Sequence, residues 1–167
     1  KAIVDTVDAV IRAGTVDDVI RSCLDAVRRS FGWAYGSYWQ VEPGDDALVF
    51  SRESGAVDEE FSRVTRSARF HKGEGLNGRA WSLHDLFAVD DLGELADCCR
   101  APVAKRAGIK AAVALPVLRG TEVVGTMDFF ATRPTALSRD RLDSLRMIAR
   151  LASDKLTHLR EQDDLTR

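Results

Sequence analysis

The amino-acid sequence predicts an α+β domain in which an antiparallel sheet carries the terminal helices on one face. Three observations predict this class. Apolar residues recur at helical spacing near both ends of the chain. Short segments rich in aromatic and β-branched residues, typical of strands, occupy the middle. A hairpin is indicated at 111–130, where apolar segments flank Arg119-Gly120-Thr121.

The composition is that of one ordinary soluble domain. The chain has 167 residues, of which 45% are apolar and 30% charged, and its net charge is −2. Because basic and acidic residues are interspersed, we expect no binding to nucleic acid. No apolar run reaches the ~18–20 residues of a membrane span. The three cysteines are too few for a disulfide framework, so we expect a cytoplasmic location. The missing initial methionine predicts a piece of a longer chain.

The first half of the chain predicts two helices, a hairpin and a further helix. The first helix covers 2–13 and is broken by Gly14, after which Thr15 can cap a second helix that ends near Gly32. The segments that follow predict two strands and a short helix, at 33–41, 47–52 and 59–69.

The central part predicts loops and short elements. Segment 71–81 contains three glycines and predicts a loop that leads into one helical turn. A short strand is predicted at 86–89. A helix is predicted over 95–107, with an interruption near Pro102.

The strand at 111–118 is apolar on both faces, so we expect both sides of the sheet to be covered. Helices can cover one side, and the remaining loops and short helices must cover the other. Small residues at Ala112, Ala114 and Gly125 leave room on a face, which a ligand could fill.

The final helix begins at the capping residue Ser138 and carries apolar residues in a heptad pattern. This pattern predicts a dimer seam, which with the first helix would form a four-helix bundle between two protomers. The seam residues are Leu142, Leu145, Ala149, Ala152, Leu156 and Leu159.

The sequence resembles a GAF domain over almost its whole length. Segment 31–39, Phe-Gly-Trp-Ala-Tyr-Gly-Ser-Tyr-Trp, resembles the entry into the first GAF strand. Segment 72–81, Lys-Gly-Glu-Gly-Leu-Asn-Gly-Arg-Ala-Trp, is similar to the "GEGLxGR" segment of many bacterial members. Segment 104–130 resembles the final hairpin of the family.

The resemblance implies a sheet of about five or six antiparallel strands, with a pocket and lid on the face opposite the terminal helices. Family members bind cyclic nucleotides, tetrapyrroles, haem or small ions, or only dimerise, so the fold does not name a ligand. We expect a GAF domain over 1–162. Residues 163–167 would begin a linker or output domain, since 162–167 resembles the opening "DxLT" of a diguanylate cyclase. The composition also resembles GAF modules ahead of chemoreceptor signalling domains.

Several side chains are candidates for a ligand site under a lid made by residues 71–107. Trp39 and Met127 could line the cavity or belong to the core, and the same holds for Trp81. The adjacent Cys98 and Cys99 could bind haem or a soft metal, attach a bilin or respond to oxidants, or serve as small apolar residues. The expected ligand-binding set is Trp39, Trp81, Cys98, Cys99, Ala112, Ala114 and Met127.

The sequence leaves the cofactor unknown. His71 could be an axial haem ligand, whereas a lone loop histidine is more often solvated. A bilin is disfavoured because the stretch 101–104, where the phytochrome-type attachment site would fall, holds neither Cys nor His. The three histidines are dispersed, so no metal site is expected.

Catalysis is not expected. No Gly-x-Ser-x-Gly segment is present, and the cysteines do not resemble the pattern of the GAF enzymes that reduce free methionine sulfoxide. Three hypotheses therefore stay open. The domain is a small-ligand sensor that signals to an output domain through its terminal helices, a ligand-free dimerisation module, or a thiol redox sensor that uses Cys98 or Cys99 with a lowered thiol pKa.

Overall fold

A computed structural model describes residues 2–166 of the chain. Strands β1 to β6 form one antiparallel sheet in the order β3-β2-β1-β6-β5-β4, which confirms the predicted α+β class. The helices are α1 (Ala2–Arg12), α2 (Val16–Phe31), α3 (Glu59–Ser67), α4 (Gly75–Leu83), α5 (Ala101–Arg106) and α6 (Arg139–Thr166). The strands are β1 (Tyr35–Glu42), β2 (Ala47–Gly55), β3 (Arg69–His71), β4 (Phe87–Val89), β5 (Ala112–Arg119) and β6 (Glu122–Phe130).

The helix-side face of the sheet is covered by α2 and α6, and α1 packs against both of these helices. The Thr15 hydroxyl accepts a hydrogen bond from the backbone N–H of Asp18 at 3.1 Å, as the sequence predicts for a capped α2. Gly32 ends α2 with φ of 78°, a left-handed conformation that glycine adopts without a Cβ penalty. The buried face of α2 then packs on the sheet through Val19, Ile20, Cys23, Leu24 and Val27.

The lid-side face is covered by α3, α4, α5 and the loops between them. Apolar side chains from both strands and lid form a second core, which includes Trp39, Phe61, Phe70, Leu76 and Phe130. The sheet is therefore buried on both sides, as its two apolar faces predict. Among the described residues, no helix is both long enough and apolar enough to cross a bilayer.

The lid differs in detail from the predicted elements. A nine-residue helix, α4, replaces the single turn expected after the glycines. Only Ala101–Arg106 is helical within 95–107, and Pro102 lies in the first turn of α5 rather than interrupting a longer helix. A proline is tolerated there because the first-turn N–H groups have no helical acceptor. Residues between 95 and 100 are left as an irregular segment.

The heptad residues of α6 face their own sheet. Leu145, Ala149, Ala152 and Leu156 are buried in the helix-side core, and Leu142 and Leu159 pack against it while partly exposed. An amphipathic helix on a sheet and a coiled-coil seam share the same apolar spacing, so the pattern did not distinguish them. α6 continues without a break across the expected domain limit at 162 as far as Thr166, and Arg167 lies outside the described residues.

One β-bulge sets the register of the β5–β6 hairpin. Arg119 pairs with Glu122 at the turn, but the pairing shifts between Val117 and Leu118. Beyond the bulge, on the side away from the turn, Leu115 pairs with Met127 and Ala114 pairs with Asp128. The inserted residue on β6 decides which side chains of the two strands share a face.

Candidate functional site

A fully buried ion pair lies between the lid and the sheet. Arg100 precedes α5, and its Nη2 donates to Oδ2 of Asp128 on β6 at 2.8 Å. Both side chains have no solvent-exposed surface. Burying a charge is costly unless it is paired, so each of these two side chains depends on the other. The pair therefore joins the loop before α5 to the sheet.

A polar network surrounds the Asp128 carboxylate. Oδ1 accepts from the hydroxyl of Ser37, and Oδ2 accepts from the indole Nε1 of Trp39 at 2.9 Å. Ser37 and Trp39 are two residues apart in β1, so both side chains point to the lid side, while Tyr38 between them points to the helix side. With Arg100 as the third donor, the acceptor oxygens of Asp128 are well satisfied.

Asn77 connects α4 to the same network. Its Oδ1 accepts from Arg100 Nη2 at 2.7 Å, and its Nδ2 donates to Thr126 Oγ1 at 2.9 Å. Asn77 and Thr126 are both fully buried. The network therefore ties together β1, β6, α4 and the loop before α5.

Aromatic rings surround the Arg100 guanidinium. Its Cζ lies 4.8 Å from the ring centre of Phe130, 5.0 Å from Trp39 and 5.2 Å from Phe70. A fourth ring, Phe61, lies at 5.8 Å. We call these four rings the aromatic cage. Ring faces attract a cation, and this attraction is stronger where water is excluded.

Arg100 has more donors than its neighbours have acceptors. Nε and Nη1 are buried without a hydrogen-bond partner, although Nη2 is fully used. Burial alone would lower the pKa of the guanidinium, but the facing Asp128 carboxylate outweighs it and the pKa is raised. The group therefore stays charged, and each unmet buried donor costs about 1–3 kcal/mol.

A cavity of about 590 Å³ lies on the outer side of the loop that carries Arg100. It shares Phe70 with the aromatic cage, and Cys98 and Ala101 line it close to Arg100 in the chain. Its charged lining comes from Glu74, Asp97 and Lys105. A second cavity of about 560 Å³ lies on the helix-side face, between α6 and β5.

Five of the seven expected ligand-binding residues lie on the lid side. Trp39, Ala112 and Ala114 are buried there on the sheet, while Trp81 on α4 and Cys98 in the loop belong to the same core. Trp39 takes part directly in the network with Asp128. The two alanines lie on β5, the neighbour of the strand that carries Asp128.

Met127 faces the opposite side, contrary to the expectation. It belongs to the helix-side core and pairs with Leu115. If the pairing at the turn continued without a bulge, Ala114 would pair with Met127. The bulge makes Asp128 the partner of Ala114 instead. A shift of one residue moves a side chain to the other face of the sheet.

Cys99 is exposed, whereas the adjacent Cys98 is buried. Burial, followed by the neighbouring Cys98, raises the pKa of the Cys99 thiol, which is opposite to the lowered pKa expected of a sensor thiol. Cys23 is buried in the helix-side core, across the sheet from both.

His71 does not point into the lid-side core. Its side chain is 67% exposed, and Nδ1 lies 3.7 Å from the Glu74 carboxylate. This position gives no support to an axial haem ligand.

The central polar residues of the site were not singled out by sequence reasoning. A signal existed for Asp128, because it is the only charge within the otherwise uncharged run 123–130 of a strand covered on both faces. Such a charge must be paired. Arg100 carried no comparable signal, since it follows two cysteines in an irregular segment and resembles any surface arginine.

The fold and site define a small domain with a covered sheet and a buried polar network under a lid. The chain belongs to the GAF family, since the model of the GAF domain matches residues 13–157. This match confirms the resemblance seen in the sequence. No curated protein matches the sequence significantly.

Solved structures of other proteins share the fold. One is the GAF domain of a phosphoenolpyruvate-protein phosphotransferase from Coxiella burnetii, with TM-score 0.80 and 12% identity over 98% of this chain and 95% of that chain. Another is a domain assigned to a two-component sensor histidine kinase protein of Sinorhizobium meliloti 1021, with TM-score 0.72 and 14% identity over 92% and 99%.

An enzyme also shares the fold. The free methionine-R-sulfoxide reductase of Neisseria meningitidis, solved in complex with its substrate, has TM-score 0.76 and 16% identity over 96% of this chain and 89% of that chain. At these identities the likeness shows the fold alone. The GAF fold is mainly regulatory, but it does not by itself decide between regulation and catalysis.

Proposed function

We propose that this chain is a sensory GAF domain that binds a small molecule under the lid and passes the signal to a linked output domain through α6. The observation that carries the proposal is the buried ion pair of Arg100 and Asp128 with its unmet donors. Packing alone gives no reason for a buried ion pair here, because apolar residues of similar volume often make a protein as stable. A ligand that accepts hydrogen bonds from the unmet donors would be a reason for it.

The ion pair also suits a lid that opens and closes. It joins the irregular loop before α5 to the sheet, so a ligand that contacts Arg100 changes how firmly the loop is held. A ligand shifts such an equilibrium only by its different affinity for the two states. The unmet donors supply that difference if the ligand accepts hydrogen bonds from them in one of the two lid states and not in the other.

Strand β6 and α6 supply a route for the signal. Asp128 on the lid side and Met127 on the helix side are adjacent in β6. On β5, the backbone N–H of Leu118 at the bulge donates to Ser153 Oγ of α6 at 3.0 Å. A displacement of these strands therefore acts on α6, which we propose continues towards a diguanylate cyclase or a chemoreceptor signalling domain.

The cysteine positions favour binding over catalysis. A thiol-based reductase needs a reactive thiolate and a second thiol to resolve the oxidised one. Cys23 is separated from Cys98 by the sheet, and the pKa of Cys99 is raised. We therefore propose a non-enzymatic role, and the same facts weigh against a thiol redox sensor.

Native mass spectrometry and thermal unfolding of the purified chain with the small-molecule fraction of a cell extract test the sensor. We expect an added mass on the protein and a higher unfolding midpoint, because a ligand at 100 times its Kd adds about 2.7 kcal/mol of stability. Hydrogen exchange should slow in 90–107 and in α6. Arg106→Gln, which alters an exposed lid arginine paired with Glu60, should behave as wild type. A protein that gains neither mass nor stability is not a ligand sensor.

We also propose a homodimer through the outer surface of α1 and α6. Val4 and Ile11 on α1 are 65% and 57% exposed, and Met147 on α6 is 51% exposed. The two helices lie side by side, since Lys155 Nζ donates to the Ile11 carbonyl at 3.2 Å. These apolar side chains replace the heptad residues as the candidate contact surface, because those residues pack within the domain.

A further inference from the structure

The unmet donors of Arg100 define what the ligand must present. We propose that the ligand is a small monocarboxylate, one oxygen of which accepts a hydrogen bond from Nε or Nη1 of Arg100 and whose apolar body lies against the aromatic cage. This proposal rests on the proposed sensory function and names the chemical class of its ligand.

The hydrogen-bond balance of the site favours a ligand that accepts. Asp128 already receives hydrogen bonds from Ser37, Trp39 and Arg100. The amide of Asn77 is used at both ends, by Arg100 and Thr126. What remains is three N–H groups, one on Nε and two on Nη1. A ligand with an ammonium group would find the acceptor oxygens of the site already used, and it would lie next to the positively charged guanidinium.

The charges around the site limit the ligand to a single negative charge at most. Within the described network Arg100 is the one cation, and the Asp128 carboxylate balances its formal charge. The outer cavity adds Lys105, but also Glu74 and Asp97. Asp97 is paired with Arg79 at 2.7 Å. A doubly charged phosphate would bring more negative charge into this buried space than its neighbours can offset, whereas a carboxylate brings one charge and forms a charge-assisted hydrogen bond with the guanidinium.

The walls of the site favour an apolar body on the ligand. Phe61, Phe70 and Phe130 offer no hydrogen-bonding group, and the single indole N–H of Trp39 is used by Asp128 and Ser37. Phe70 lies both in the cage and in the outer cavity of about 590 Å³. A carboxylate at Arg100 can therefore have its body extend along Phe70 towards that cavity once the side chains of Cys98 and Ala101, which line the cavity, move aside.

The test compares three ligands that share a phenyl body and differ in charge: benzoate, benzamide and benzylamine, with acetate and propionate as smaller carboxylates. We expect saturable heat stabilisation of the wild-type chain by at least one carboxylate, measured against sodium chloride of equal ionic strength. Benzamide should bind about tenfold or more weakly than benzoate, since hydrogen bonds to charged groups contribute about 1.5–3 kcal/mol. Benzylamine should not bind.

Two variants and one spectrum locate the binding. Arg100→Gln should weaken carboxylate binding about tenfold or more, while the matched Arg106→Gln on the lid surface should not change it. If Arg100→Gln does not fold, the wild type still provides the test. Its 1H–15N spectrum should show an exchange-protected arginine Nε–H that shifts when the carboxylate is added.

The outcomes separate the ligand class from the sensory function. Saturable binding of benzamide or benzylamine, with no carboxylate bound, would overturn the monocarboxylate and leave the sensory site standing. Carboxylate binding that survives in Arg100→Gln and leaves the Nε–H signal in place would also overturn it. If none of the five probes binds and the extract yields no bound mass, both proposals fail.

Discussion

Cys23 gives the helix-side core a predictable dependence on alkaline pH. Burial raises the pKa of its thiol from 9.0 to about 12. Below pH 9 the thiol is neutral in both states and contributes nothing. Above pH 9 the unfolded chain loses this proton while the folded chain keeps it, so stability falls with rising pH, by up to about 1.4 kcal/mol per pH unit.

Urea unfolding between about pH 8 and about pH 10 measures this effect. Cys23→Ala should show a shallower loss of stability across the range than wild type, whatever its stability at neutral pH. Ser22→Ala, at the preceding position of α2, should keep the wild-type slope. Equal slopes for wild type and Cys23→Ala would mean that the thiol is not buried as described.

Single residues were predicted from the sequence only where their type restricts their surroundings. Trp39, Ala112 and Ala114 were expected on the lid side and lie there, because large and small apolar residues in strands must be buried somewhere. Arg100 was missed, because arginine is usually exposed and nothing local marks a buried one. Its position follows from Asp128, which lies 28 residues later, so only the folded chain joins them.

The contact between the β5 bulge and α6 is testable through Ser153. Its hydroxyl accepts from the Leu118 N–H at 3.0 Å and donates to the Ala149 carbonyl at 2.7 Å. Ser153→Ala leaves a backbone donor of the bulge without this acceptor. We expect a loss of about 1–3 kcal/mol in the free energy of unfolding, measured by urea denaturation.

Ser144→Ala is the matched control for this change. Ser144 lies on the same helix, partly exposed, and its replacement should alter stability by less than about 0.5 kcal/mol. If the proposed relay is right, Ser153→Ala should also weaken the slowing of hydrogen exchange in α6 on ligand binding. An unchanged response in α6 would exclude this contact from the route.

The elements were predicted well where periodicity is strong and poorly where register decides. Both terminal helices, the α2 cap and the final hairpin follow from local pattern. The face of Met127 does not, because it depends on one extra residue at the bulge beside Leu118. Three-residue strands such as β3 are too short to produce a pattern of their own, and they form because β2 offers them a free edge.

The whole molecule shows why the heptad pattern of α6 was assigned to a dimer. A sheet with one exposed apolar face needs a helix layer, and α6 supplies it through Leu145 and Leu156. The same spacing in an isolated sequence is equally typical of a coiled coil. Charged residues at these positions would therefore unfold the domain, and they do not test a dimer.

The dimer proposal is tested on the outer surface of the two helices. Ile11→Glu and Met147→Glu place charges among exposed apolar residues and should convert a dimer to a monomer while leaving the fold intact. Sedimentation velocity over a range of concentrations gives the mass, and circular dichroism confirms the helices. Leu83→Glu is the matched control, because Leu83 is 58% exposed at the end of α4 and is not part of the proposed contact surface formed by Val4, Ile11 and Met147. Leu145→Glu should unfold the chain, since it buries an unpaired charge. A dimer that persists in both outer variants would show that α1 and α6 do not form the contact. A wild-type chain that is monomeric at every concentration would rule out the dimer, and it would not affect the proposed ligand site.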